Sequence, residues 1–157
     1  FVPFTFSTKQ FHIADNSMLA GNYFYVNLSR SETRALSGSL ADSDLHYIPA
    51  DGKIMRLQYI SNEAIAATDT LGFKFYKYKV PGKGVSPTDI VTIGNYDLVD
   101  TWETDEAVSV GVRNNIPLDI NVKQGDIILL TIKAKATASL TNFWINLTFK
   151  EYWPELL

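Results

Sequence analysis

The sequence predicts an all-β domain, an antiparallel sandwich or barrel, on three observations. Apolar and polar residues alternate with a period of two in many short runs, the signature of strands with one buried face. Turn-forming residues fall between these runs at the spacing of an antiparallel sandwich or barrel. No apolar pattern of period 3.6 lasts ten residues, which leaves no crossover helices and hence no parallel sheet. Helix content is expected below about a tenth of the chain, well under the usual share.

The elements follow in chain order. Phe1 to Ile13 is apolar and is expected to pair with a sheet edge or to reach a neighbouring subunit as an arm. Phe24, Val26 and Leu28 alternate with Tyr23, Tyr25 and Asn27. Ser29 with Glu32 three residues on makes a capping box, followed by Ala35, Leu36 and a terminating Gly38, so at most one helical turn is expected there. The whole of Ser29 to His46 is polar and rich in small residues, and reads as a long surface connection. Met55, Leu57 and Tyr59 form the next strand after an Asp51-Gly52 turn, and Leu71, Phe73 and Phe75 another, ending before Pro81-Gly82. Val108, Val110 and Val112 alternate, then Leu118, Ile120 and Val122 after an Asn114-Asn115 turn. Gln124-Gly125-Asp126 turns into Ile127 to Ala134, apolar on both faces at its start, as in a central strand buried on both sides. The last strand sets Phe143, Ile145, Leu147 and Phe149 against Trp144, Asn146, Thr148 and Lys150. The predicted core is those four residues with Leu57, Phe73, Phe75, Leu130 and Ile132.

Composition bounds the function. The 157 residues include 9 Phe, 8 Tyr and 3 Trp, too many aromatics for a disordered chain. No repeat or linker divides them, so a single domain spanning 1–157 is expected. Cysteine is absent, which excludes disulfides, thiolate catalysis and Cys-based zinc sites, and His12 and His46 are the only imidazoles. With 14 Lys+Arg against 17 Asp+Glu and no basic block, nucleic acid is not an expected partner. The most apolar run, Ile127 to Ile132, is far short of the roughly 20 residues that span a bilayer. A start at Phe1 suggests a processed product or a fragment.

Each candidate site competes with a plainer reading. Asp42, Asp44 and His46 would share one side of an extended backbone, a metal-compatible spacing, but a polar loop leading into a strand has the same pattern. Asp97, Asp100, Glu103, Asp105 and Glu106 lack the glycine-punctuated order of a calcium loop and read as a solvated hairpin face. Lys74, Lys77, Lys79 and Lys83 interleave with aromatics as on a single-strand-binding track, yet lysines guarding an edge strand fit better in an acidic chain. Trp102, Trp144 and Trp153 are sugar-stacking platforms or, as favoured here, buried in the core or between subunits. The sequons at Asn27 and Asn146 lie within predicted strands, where glycosylation is not expected. No G-x-S-x-G elbow with a partner histidine, H-E-x-x-H or phosphate-cradling loop is present, so neither an enzyme nor a cofactor is expected.

The segment Tyr47-Ile48-Pro49-Ala50-Asp51-Gly52-Lys53-Ile54, with the strand to Ile60 and then Leu71 to Lys77, resembles virion proteins of tailed bacteriophages. Val122-Lys123-Gln124-Gly125-Asp126-Ile127-Ile128-Leu129-Leu130, with the final strand Phe143 to Tyr152, is similar to the V-x-x-G-D-x-I-x-L hairpin of phage jelly-roll domains. That pattern is shared with tumour-necrosis-factor-like and C1q-like trimers. The resemblance implies a jelly-roll sandwich and a homotrimer in the virion, either a tail-fibre tip or a capsid decoration protein. Its partners would be other virion proteins and a host surface glycan or protein receptor. A carbohydrate-binding module or lectin-like domain is the alternative. Tyr23, Tyr25, Tyr76, Trp144 and Trp153 are the expected sources of subunit contacts, because 20 aromatics exceed the needs of one small core. Tyr96 to Glu106, with Tyr96 and Trp102, and the Ser29 to His46 connection are expected as polar segments at the sheet ends that face a receptor.

Overall fold

The computed structural model describes residues 3–15, 22–26, 33–35, 40–41, 44–66, 71–134 and 140–153. Strand accounts for 62% of the described residues and helix for 3%. The strands are β1 (Phe4–Asp15), β2 (Tyr23–Val26), β3 (Thr33–Ala35), β4 (His46–Tyr47), β5 (Gly52–Ser61), β6 (Leu71–Tyr78), β7 (Tyr96–Thr104), β8 (Asn114–Val122), β9 (Ile127–Ala134) and β10 (Leu140–Tyr152). Every pairing is antiparallel. A four-stranded sheet runs β1-β10-β5-β8, and a six-stranded sheet runs β3-β2-β9-β6-β7 with β4 also against β9. Leaving aside the short β3 and β4, eight principal strands pair first with eighth, second with seventh, third with sixth and fourth with fifth. This is one long antiparallel ribbon rolled onto itself, the jelly-roll topology.

Period-two patterning explains the core. All nine predicted core residues are buried, with Phe143, Leu57, Phe73 and Ile132 fully so, in one cluster between the sheets. Aromatic rings meet at its centre: Tyr59 stacks on Phe143 at 5.7 Å, and Phe73 lies 5.7 Å from Tyr59 and 6.4 Å from Phe143. β9 is buried on both faces, as its sequence suggests. Ile128, Leu130 and Ile132 face the main core, while Leu129 enters a second cluster with Tyr25, Leu40 and Tyr96. That cluster covers part of the six-stranded sheet's outer face, with Val91, Ile93 and Leu45 packed against it.

Several local expectations are overturned by tertiary pairing. Thr33–Ala35, expected in a helical turn, is a strand bonded to β2; Ser29 to Glu32 and Leu36 to Gly38 lie outside the described residues. The supposed surface connection holds a buried Leu40, whose N–H donates to the Val91 carbonyl, and a buried Asp44. Tyr96–Thr104 is an edge strand rather than a loop, and it covers β6, so the lysine-bearing β6 is an interior strand. Val108 makes one bridge to Ile65, but Val110 and Val112 are exposed around Gly111, whose φ of 73° no strand accommodates. Asn114 and Asn115 begin β8 instead of turning. Gly125 has the positive φ its turn requires, at 89°, whereas Gly52 is a strand residue whose lack of a side chain admits the Lys150 carbonyl.

Candidate functional site

The two outer faces differ. The six-stranded sheet is partly covered by its own chain, while among the described residues no cluster of buried side chains lies over the outer face of the four-stranded sheet. Alternation along β10 sends Phe143, Ile145 and Leu147 into the core and turns Trp144 and Asn146 to the other side. Register then builds a polar row across the sheet, because Gln10 pairs with Asn146, Asn146 with Gln58, and Gln58 with Asn115. A cleft of about 340 Å³ opens here, lined by Gln10, Gln58, Ile60, Arg113, Trp144 and Asn146 among others.

The side chains of the cleft are held in place. His12 stacks on Trp144 with ring centres 4.2 Å apart, and its Nε2 lies 3.1 Å from the Asn142 Oδ1 that accepts from it. Gln58 Nε2 donates to Asn115 Oδ1 at 2.6 Å. Asn146 Oδ1 is shut off from solvent by its neighbours and has no hydrogen-bond partner. Trp144 remains 48% exposed. Amides that donate and accept, beside a partly bare indole, have the chemistry to hold hydroxyl groups and one apolar face together.

A second pocket of about 310 Å³, lined by Ser7, Lys9, His46, Pro49, Phe149 and Glu151 among others, opens beside the edge strand β1. Lys9 Nζ donates to His46 Nδ1 at 3.1 Å, and the imidazole lies against Phe149. Burial first, then the charge of Lys9, pushes His46 down to about 4, and burial lowers the Lys9 amine. A neutral imidazole thus accepts from an ammonium here. On the far sheet, Tyr23 donates to Glu103 at 2.8 Å and Lys133 pairs with the same oxygen at 2.7 Å, while Lys74 sits over the Tyr23 ring. The Lys133 hydrogen bond, then that of Tyr23, holds Glu103 below the usual carboxylate range.

The singled-out residues are dispersed. Tyr96 is buried, with its hydroxyl donating to the Ile90 carbonyl at 2.7 Å, and burial and the nearby Tyr78 push it up to about 12. Trp102 is half-buried, packed on Tyr59 and Phe73 at 6.0 and 5.9 Å. Tyr25 is 1% exposed and has no side-chain surface to offer a neighbour. Tyr23 and Tyr76 belong to the six-stranded sheet, Trp144 to the other, and Trp153 follows β10, exposed. Asp42 lies outside the described residues; Asp44 Oδ2 accepts from the Ala41 N–H. Asp97 pairs with Lys79 and Glu103 with Lys133, and among the described residues no three His, Asp or Glu side chains are grouped as metal ligands. Gln10, Gln58 and Arg113 were not legible as a site, because only strand register makes them neighbours.

Among the described residues no helix is long and apolar enough to cross a membrane. No protein-family model and no curated protein matches this sequence.

Proposed function

We propose that the chain is a non-enzymatic structural or adhesion component of a bacteriophage particle, assembling as a homotrimer at a tail-fibre tip or as a capsid decoration. The observation that carries this reading is the outer face of a four-stranded sheet that no other described segment covers, in a jelly roll whose sequence bears the phage-like hairpin from Val122 to Leu130. A free chain gains by covering large exposed apolar groups, and several collect at one end of that face. Phe6 is 61% exposed and Trp153 56%, with Phe4 packed edge-on to Phe6 and Lys150 over the Phe4 ring. This end, with Trp153 from the expected contact set, is the subunit contact in this reading, and it leaves the Trp144 cleft at the other end open.

Electron microscopy of purified particles labelled with antibody to the chain tests the assignment. Label at the tail tip predicts that deleting the gene abolishes adsorption. Label over the capsid predicts normal adsorption and particles that burst at lower temperature. Particles without label refute the reading. Sedimentation should give three times the 17.6 kDa of one chain, and a monomer at micromolar concentration refutes the trimer. The carbohydrate-binding or lectin-like reading is favoured by one observation of its own, the partly bare Trp144 among amides, and leads if particles lack the chain.

A further inference from the structure

We propose that the cleft on the outer face of the four-stranded sheet binds one uncharged pyranose ring of a glycan, stacked on Trp144 and hydrogen-bonded by Gln10, Gln58 and Asn146. The inference deepens the adhesion reading by naming a ligand class, and it rests on that reading only for its biological setting. Four features converge. The first is shape, since a concavity of about 340 Å³ on a rigid sheet suits a small ring rather than a flat protein surface. The second is the indole. His12 takes one face of Trp144, and the exposed remainder borders the cleft, where the C–H face of a sugar is the natural cover.

The third feature is hydrogen-bonding capacity. Sugar hydroxyls donate and accept at once, and so do primary amides. Three of these, Gln10, Asn146 and Gln58, stand on adjacent strands about 4.8 Å apart in one row. The fourth is an unmet acceptor in the cleft wall. Asn146 Oδ1 has neither a donor nor solvent-accessible surface in the ligand-free chain, a state that native structures rarely leave without a partner, and turning the amide toward the cleft lets an incoming O–H supply one. Charge narrows the class: among the described residues Arg113 is the one charged residue lining the cleft, so nothing there neutralises a cationic ligand, and water around the exposed guanidinium screens its attraction for an anion. A guanidinium at that position also donates to neighbouring hydroxyls.

The test is titration of the full chain by calorimetry and saturation-transfer NMR with methyl glucoside, galactoside and mannoside and with N-acetylglucosamine oligomers. At least one should bind with a Kd on the order of 1 mM or tighter. Trp144→Ala and Asn146→Leu should each weaken binding about tenfold or more, while Leu98→Ala, at an exposed position on the other sheet, should leave it within about twofold. No binding by any sugar at about 20 mM to folded wild-type chain overturns the proposal. Binding that survives both cleft substitutions does so too. A cleft that rejects sugar and instead loses Trp144 exposure as the chain self-associates belongs to a second copy, which also overturns it. Sugar binding by a chain absent from particles would refute the virion assignment and leave this inference standing.

Discussion

Lowering the pH from 7 to 4.5 should destabilise this domain through His46 in particular. The imidazole sits beside the Lys9 ammonium at 3.1 Å and is pushed from its ordinary 6.5 to about 4. Its folded pKa is therefore below its unfolded one. Above pH 6.5 neither state binds the proton and the group costs nothing. Between 6.5 and 4 the unfolded chain binds a proton that the folded chain refuses, so stability falls as pH falls and levels off below 4. A shift of this size converts to about 3 kcal/mol over the full window. Solvent screening of a half-buried group reduces it to about 2 kcal/mol by pH 4.5. The assay is urea denaturation of wild type and His46→Gln at several pH values, with the variant reporting the carboxylate background. Wild type should lose about 2 kcal/mol more than the variant between pH 7 and 4.5. Parallel stability curves for the two proteins would refute the reasoning, as would an NMR titration of His46 with a midpoint near 6.5.

Three substitutions probe the packing. Gly52→Ala drives a Cβ into the Lys150 carbonyl at the end of the β5–β10 pairing, where Gly52 faces Glu151, and should cost at least about 2 kcal/mol in urea denaturation; a loss within about 0.5 would contradict the close approach. Leu147→Asp places an unpaired charge in the main core and should abolish cooperative unfolding, since the several kcal/mol it costs rival a total of roughly 5–15; a folded, cooperative variant seen by circular dichroism would exclude the burial described. Trp102→Ala should lower Tm by about 6 °C for a loss near 2 kcal/mol, because the indole packs on Tyr59 and Phe73, and an unchanged Tm by calorimetry would return Trp102 to the surface role its sequence context suggests.

Strand identity was legible where a run carried its own period and had no conflicting turn. Phe143 to Phe149 and Leu71 to Phe75 point the same residues inward in sequence and structure. The failures share a cause. Val108 to Val112 has the right alternation, but Gly111 adopts a positive φ inside it, and Thr33–Ala35 forms a strand only because β2 offers an edge. β7 looked like a loop because an edge strand needs few apolar residues, and Asp97 and Glu103 stay exposed along it while Trp102 packs against the main core.

The sequence by itself determined the class of the domain and the membership of its core, since period-two patterning encodes which side of each strand avoids water. It also marked β9 as a central strand, because apolar residues on both faces need cover on both. The tertiary structure alone decided that the six-stranded sheet's outer face is partly covered, that Trp144 and Trp153 are bare while Trp102 packs on the core, and that Gln10, Asn146 and Gln58 stand side by side. The physical reason is that a surface site depends on cross-strand register between residues as much as 136 positions apart, from Gln10 to Asn146, and no local pattern carries that register.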